Sequence, residues 1–186
     1  MDHDNKIIER IRNGDTESFT FLYDAYVRKI YDFIFFRTFH KETAEDLTSQ
    51  VFIKALEKFS SFNSSKGSFS TWLYAIARNT VIDNSRTGKS FEDISEYENL
   101  TSGENISEIA DNTLKIEKVG QLLQKLPEDI REIVVMRAWD GLSYKEISQI
   151  LQKNEGSIKM AFFRASEKLK QNAHIALVIL LAFNIQ

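Results

Sequence analysis

Apolar residues recur at steps of three and four along most of this chain. Ile7, Ile8 and Ile11 make a short stripe, and Phe19, Leu22, Tyr23, Tyr26, Ile30, Phe33 and Ile34 make a longer one. Leu47, Val51, Phe52, Ala55, Leu56 and Phe59 form a third, and Trp72, Leu73, Ile76, Ala77 and Val81 a fourth. That period predicts amphipathic helices. Polar breaks at Asn13-Gly14-Asp15, near His40 to Thr43 and at Ser60 to Ser68 separate them, the last a serine-rich loop with Gly67. Residues 87–112 lose the period and are rich in Ser, Glu and Asn, which predicts a linker. The expected fold class is all-α: two small helical domains joined by an acidic flexible linker, the second a helix-turn-helix. The expected bounds are 1–86, 87–112 and 113–172, followed by an apolar tail at 173–186.

The second domain has the sharper local grammar. Pro127 suits the first position of a helix, where its missing N–H is no loss, and Glu128 and Asp129 suit the positive end of the helix dipole. Asp140-Gly141 predicts its end, because glycine takes a left-handed cap with least strain. Ser143 followed by Glu146 predicts a capping box, with Ile147, Ile150 and Leu151 on the buried face. After a turn at Gln152-Lys153, Asn154 is placed to cap a last helix that buries Ile158, Phe162, Ala165 and Leu169. That leaves Lys159, Met160, Phe163 and Arg164 on or beside its open face, with Lys153, Lys168 and Lys170 nearby. A short helix, a tight turn and a longer helix with basic open-face residues point to duplex DNA, the second helix lying in the major groove. An ordinary helical hairpin with a solvated face would share the pattern.

Composition changes the picture in three ways. The 186 residues include one proline and seven glycines, too few breakers for a design of many short strands. There is no cysteine, which excludes disulfides and thiolate metal sites and suits a reducing cytoplasm. Three scattered histidines and the lack of a phosphate-cradling glycine loop or nucleophile motif suggest no metal, no cofactor and no catalysis. The N-terminus is polar and acidic, unlike a secretory signal. The longest apolar run, Ile175 to Phe183, is nine residues against the roughly 20 needed to cross a bilayer. Net charge is −3, but it is unevenly spread. Residues 1–86 are balanced, residues 87–114 carry one basic and seven acidic side chains, and residues 115–186 carry 11 basic and eight acidic. The acidity sits between two parts that are not acidic.

Three segments in order, AEDLTSQVFIKAL (44–56), GSFSTWLYAIARNTVID (67–83) and LPEDIREIVVMRAWDGLSYKEISQIL (126–151), resemble extracytoplasmic-function sigma factors of the sigma-70 family. The first two resemble region two and the third the helix-turn-helix region four. The resemblance implies a cytoplasmic, non-enzymatic protein that binds core RNA polymerase and directs promoter-specific initiation. Its partners would be the clamp of the largest polymerase subunit, the flap of the second-largest, promoter DNA and a cognate anti-sigma factor. The first domain would read the −10 element as a separated strand and the second would read −35 as duplex.

Residue by residue, the resemblance implies polymerase contacts at Asp46, Ser49, Gln50, Ile53 and Lys54. It implies −10 contacts at Phe62, Asn63, Lys66, Trp72, Arg78, Asn79, Asp83 and Arg86. Phe62, Asn63, Lys66 and Gly67 would frame a pocket for an unstacked base. For Trp72, core packing is an equal alternative, and Glu45 and Asp46 also suit a helix N-terminus. The implied −35 readers are Lys159, Met160, Phe163 and Arg164. This chain departs from the family pattern at Ser49-Gln50, where glutamine and then an acid are usual, and at Ala161, where arginine is usual. Alanine cannot make arginine's two-pronged contacts, so −35 reading is expected to be weaker, or to lean more on apolar contact with thymine methyls through Met160 and Phe163. Two other functions share parts of the pattern: an autonomous repressor that needs no polymerase, and a helical adaptor that binds only protein.

Overall fold

The computed structural model describes residues 2–86 and 119–170, and every described element is helical. The linker expected at 87–112 and the tail at 173–186 lie outside the described residues. The chain sorts into two compact units, one taking most of residues 1–90, the other taking the rest with the short 36–41 segment.

The first unit is built on four helices: α1 (Asp2–Arg12), α2 (Phe19–Thr38), α3 (Lys41–Glu57) and α4 (Phe69–Arg86). Ile7, Ile8 and Ile11 bury one face of α1. The break that follows turns at Gly14, whose φ of 99° is open only to a residue without a Cβ at little cost. Asp15 then caps the short 3₁₀ turn Thr16–Ser18, accepting from the Ser18 amide at 3.3 Å and hydroxyl at 2.7 Å. Arg10 donates to the same carboxylate at 2.8 Å.

α2 departs from a simple stripe. From Ile30 through Phe35 it is buried at every position, polar Asp32 included. Phe33 meets Tyr74 of α4 edge-on, ring centroids 5.3 Å apart, and both are fully buried. Tyr23 and Leu56, counted in the apolar stripes, are exposed instead, at 43% and 52%. Each sits at the edge of its stripe, where a three- and four-residue period does not separate the last buried position from the first open one. The break near His40 is tighter than expected, with α3 starting at Lys41 and Phe39 taking the left-handed turn at φ 50°.

The second unit contains helical residues 119–124 (α5), then α6 (Glu128–Val134), α7 (Tyr144–Leu151) and α8 (Glu155–Lys170). Arg131 closes the α5–α6 turn by donating to the carbonyls of Leu123 at 2.8 Å and Leu126 at 3.2 Å. α6 begins after Pro127, as its sequence signal predicts, but its last turn widens into a π turn, Val135–Trp139. The Asp140 amide reaches Val135 O at 3.2 Å and the Leu142 amide reaches Met136 O at 2.9 Å, across Gly141 at φ 71°. A widened turn leaves no mark in apolar spacing.

The helix-turn-helix follows its sequence signals closely. Ser143 accepts from the Glu146 amide at 3.2 Å while Glu146 accepts from the Ser143 amide at 2.9 Å, a complete capping box. Gln152 ends α7 in the left-handed region, and Asn154 Oδ1 accepts from the Gly156 amide at 2.8 Å to open α8. Ile147, Ile150 and Leu151 pack against Ile158, Phe162, Ala165 and Leu169, all buried. The rings of Tyr144 and Phe162, 6.0 Å apart, tie α7 to α8.

Candidate nucleic-acid interface

On α3, Asp46, Ser49, Gln50 and Ile53 are all exposed and follow one another at helical spacing, so they form one open stripe. Ile53 is 58% exposed, and Leu56, absent from the sequence-based site, extends the stripe with a second bare apolar side chain. Two large aliphatic groups in water beside an acid and two small polar groups suit a protein partner more than a phosphate backbone. Lys54 differs from its neighbours. It is half-buried and donates to Thr80 Oγ1 of α4 at 3.1 Å, so it braces the two helices. The Ser49 hydroxyl is turned to its own helix, donating to Glu45 O at 3.1 Å.

The loop between α3 and α4 is held at both ends. Its first end is the 3₁₀ turn Phe59–Ser61, whose Phe59 ring is buried. Phe62 follows, also buried, within a cluster of Phe59, Phe69 and Trp72 at centroid distances of 5.3 to 6.4 Å. Its ring is thus part of the floor beneath the loop, while Asn63 and Lys66 stand out in water. Asn63 Oδ1 accepts from the Ser65 amide at 2.9 Å and hydroxyl at 2.7 Å, and the Lys66 amide donates to Asn63 O at 3.0 Å. With its oxygen so engaged, Asn63 offers its amide nitrogen as a donor. At the other end, Ser68 Oγ accepts from the Thr71 amide at 3.1 Å and caps α4.

Along α4, Trp72, Asn79, Asp83 and Arg86 are separated by steps of seven, four and three, which places them on one side of the helix. Asn79, Asp83 and Arg86 are exposed, and Trp72 is half-buried, its ring 5.3 Å from Phe62 and 5.6 Å from Phe69. Packing and surface contact therefore both fall to this one residue. Arg78 is half-buried and points off this stripe by one helical step. The stripe gives an amide, one acid and a terminal cation on one side of α4.

On α8 the open face is Lys159, Met160, Phe163 and Arg164, all exposed, with Met160 at 50% and Phe163 at 56%. Ala161 lies at the flank, half-buried. There a groove of about 670 Å³ runs between α8 and the start of α6, lined by Pro127, Ile130, Met160, Ala161, Arg164 and Lys168 among others. Lys153, counted among the loose positive charges, is paired with Asp129 at 3.1 Å. Arg137, a residue that sequence reasoning passed over, ties the entry to α7 by donating to Leu142 O at 3.0 Å with its guanidinium over the Tyr144 ring at 4.9 Å. Among the described residues no helix is long and apolar enough to cross a membrane.

Two family models match the chain, sigma-70 region 2 over residues 22–91 and sigma-70 region 4 over residues 116–169. The ECF RNA polymerase sigma factor BldN of Streptomyces coelicolor is 34% identical over 167 residues, 88% of this chain and 63% of its own length. The chain thus spans somewhat under two thirds of that relative. The ECF RNA polymerase sigma-E factor of Escherichia coli is 33% identical over 177 residues, 89% of this chain and 92% of its own length. Among solved structures, CnrH in complex with the cytosolic domain of CnrY has a TM-score of 0.69 at 20% identity, covering 91% of this chain and 96% of that one. The sigma factor RpoE of Bartonella quintana, in complex with the anti-sigma factor NepR, has a TM-score of 0.68 at 21% identity, covering 83% and 96%. At such identity these two structures bear on the fold alone. The match to both regions, together with one-third identity over nearly all of sigma-E, shows that the chain belongs to the extracytoplasmic-function sigma factors of the sigma-70 family.

Proposed function

We propose that this sigma factor reads promoters with two surfaces on one chain while a third surface docks on the polymerase. The α3 stripe of Asp46, Ser49, Gln50, Ile53 and Leu56 meets the clamp of the largest subunit of core RNA polymerase. The loop residues Asn63 and Lys66, with Trp72, Asn79, Asp83 and Arg86 on α4, receive the −10 element as a separated strand. Donor amides take base edges, the indole offers a stacking surface, and Arg86 and Arg78 take phosphates. Phe62 acts from below, as the floor of the pocket. The second unit docks on the flap of the second-largest subunit and lays α8 in the major groove at −35, where Lys159 and Arg164 meet phosphates or guanine, and Met160 and Phe163 meet thymine methyls. The protein works in the cytoplasm, carries out no chemistry of its own and leaves polymerisation to the core enzyme. An anti-sigma factor restrains it, the partner that the family resemblance implies.

The observation that carries this reading is the split along α8. Ile158, Phe162, Ala165 and Leu169 are buried, and Met160 and Phe163 are left about half exposed between Lys159 and Arg164. A helix with only a solvated face to present gains nothing from two large apolar groups in water. In vitro transcription with purified core polymerase and start-site mapping tests the reading. The expected result is initiation beyond that of core alone, at sites sharing two sequence blocks upstream. Initiation no better than core alone would overturn it. Duplex binding by the chain alone, without polymerase, would then mark an autonomous repressor.

A further inference from the structure

Arg12 lies outside every motif that carries the family resemblance, yet it reaches across the sequence to the −10 loop. From the last turn of α1 its Nη2 donates to the carbonyl oxygen of Phe62 at 2.8 Å. The same guanidinium sits 5.9 Å from the centre of the Phe62 ring. One planar cation therefore holds both the backbone and the side chain of the residue that immediately precedes Asn63. The pairing suits arginine, whose flat fork can donate sideways while its face lies on a ring.

We propose that Arg12 is a positioning residue for base recognition at −10, holding Phe62 so that Asn63 and Lys66 present one fixed geometry to the unstacked base. This rests on the −10 reading above. The loop needs such a hold at its first end. Phe62 leaves the 3₁₀ turn in an extended conformation, φ −64° and ψ 131°, and the Phe62 amide is already used inside that turn, donating to Phe59 O at 3.0 Å. Beyond it, the hydrogen bonds that join Asn63 and Ser65 stay within the loop, and the next anchor is the Ser68 cap of α4. A base pocket that discriminates by edge contacts loses selectivity when its donors shift by about 1 Å. α1 in turn is seated by its buried isoleucines and tied to α2 by the Tyr26 hydroxyl, which donates to Asp4 Oδ2 at 2.6 Å, so Arg12 is delivered from an anchored helix.

The test uses holoenzyme, the full chain on core polymerase, with fork-junction DNA built from a promoter that the transcription experiment has mapped. The exposed −10 strand carries each of the four bases, or an abasic nucleotide, at each position in turn. Wild type is expected to prefer one base over the abasic nucleotide by about tenfold at one position at least. Arg12→Ala is expected to cut that preference to under about twofold while leaving affinity for abasic DNA and its salt dependence unchanged. Arg12→Lys is expected to behave like Arg12→Ala, because an ammonium cannot hold the carbonyl and cover the ring together. Phe62→Leu, which keeps an apolar floor and removes the ring, is expected to lose the same preference, and the Arg12→Ala, Phe62→Leu double variant to be no worse than either alone. Full preference in Arg12→Ala would overturn the proposal. So would equal weakening on every substrate with rescue by Arg12→Lys, the signature of a phosphate contact. A wild type with no base preference anywhere would instead overturn the −10 reading itself.

Discussion

Met160 and Phe163 stand in water on α8 where lysine or glutamate would be stable and soluble. In the proposed function their value lies in what they touch in a complex. Phe163→Ala in holoenzyme is expected to leave the fold intact and weaken binding about tenfold only where the −35 block offers a thymine methyl. Lys159→Ala is expected to weaken all promoters alike and lower the salt slope by about one. Ala161 borders the groove beside Arg164. Ala161→Arg, which restores the family's usual residue, is expected to tighten promoter binding several-fold, measured by titration against salt. Asp15 shows the other use of a single side chain. Hydrogen bonds from Ser18, then from Arg10, hold its carboxyl below the ordinary 3.8. A lowered folded value means a contribution that is complete above the ordinary value and is lost as pH falls through the lowered one. Denaturation of Asp15→Asn is therefore expected to depend less steeply on pH than wild type below about pH 4.

Among the elements, the helix-turn-helix was the most legible, because caps are local chemistry. Ser143, Glu146, Gly141 and Asn154 each announce a terminus by the group they satisfy or the φ they tolerate, and the structure uses all four. Ser143→Ala is expected to cost about 1 kcal/mol by equilibrium denaturation of the full chain. The π turn at Val135–Trp139 was not legible, since it changes register without changing composition. The α3–α4 loop was half legible. Its serines and Gly67 announced a loop and the family resemblance pointed to Asn63 and Lys66, but only packing separates those exposed residues from buried Phe62. Phe62→Ala is accordingly expected to cost about 3–5 kcal/mol, as for a buried aromatic, where Asn63→Ala costs well under 1 kcal/mol. Arg12 was invisible for another reason: its partner lies 50 residues on, and no period or motif joins them.

At the scale of the molecule, a net charge of −3 hides a division of labour. The excess acid falls in residues 87–114, and the segment that carries α8 is net basic. This distribution suits a chain whose two ends meet nucleic acid and whose middle does not compete with it. It was readable from the sequence by segment, whereas separate tasks for the two units are read from the ordered motifs, and the exposed stripes on α3, α4 and α8 are where the proposal places them. The central claim is that the units read different promoter blocks while acting through one polymerase. Its most direct test is quantitative in vitro transcription over a library that substitutes every base of both blocks, with wild type, Asn63→Ala and Phe163→Ala. The account predicts that Asn63→Ala flattens selectivity in the downstream block alone and Phe163→Ala in the upstream block alone. Both variants flattening the same block, or neither changing selectivity in either, would contradict it.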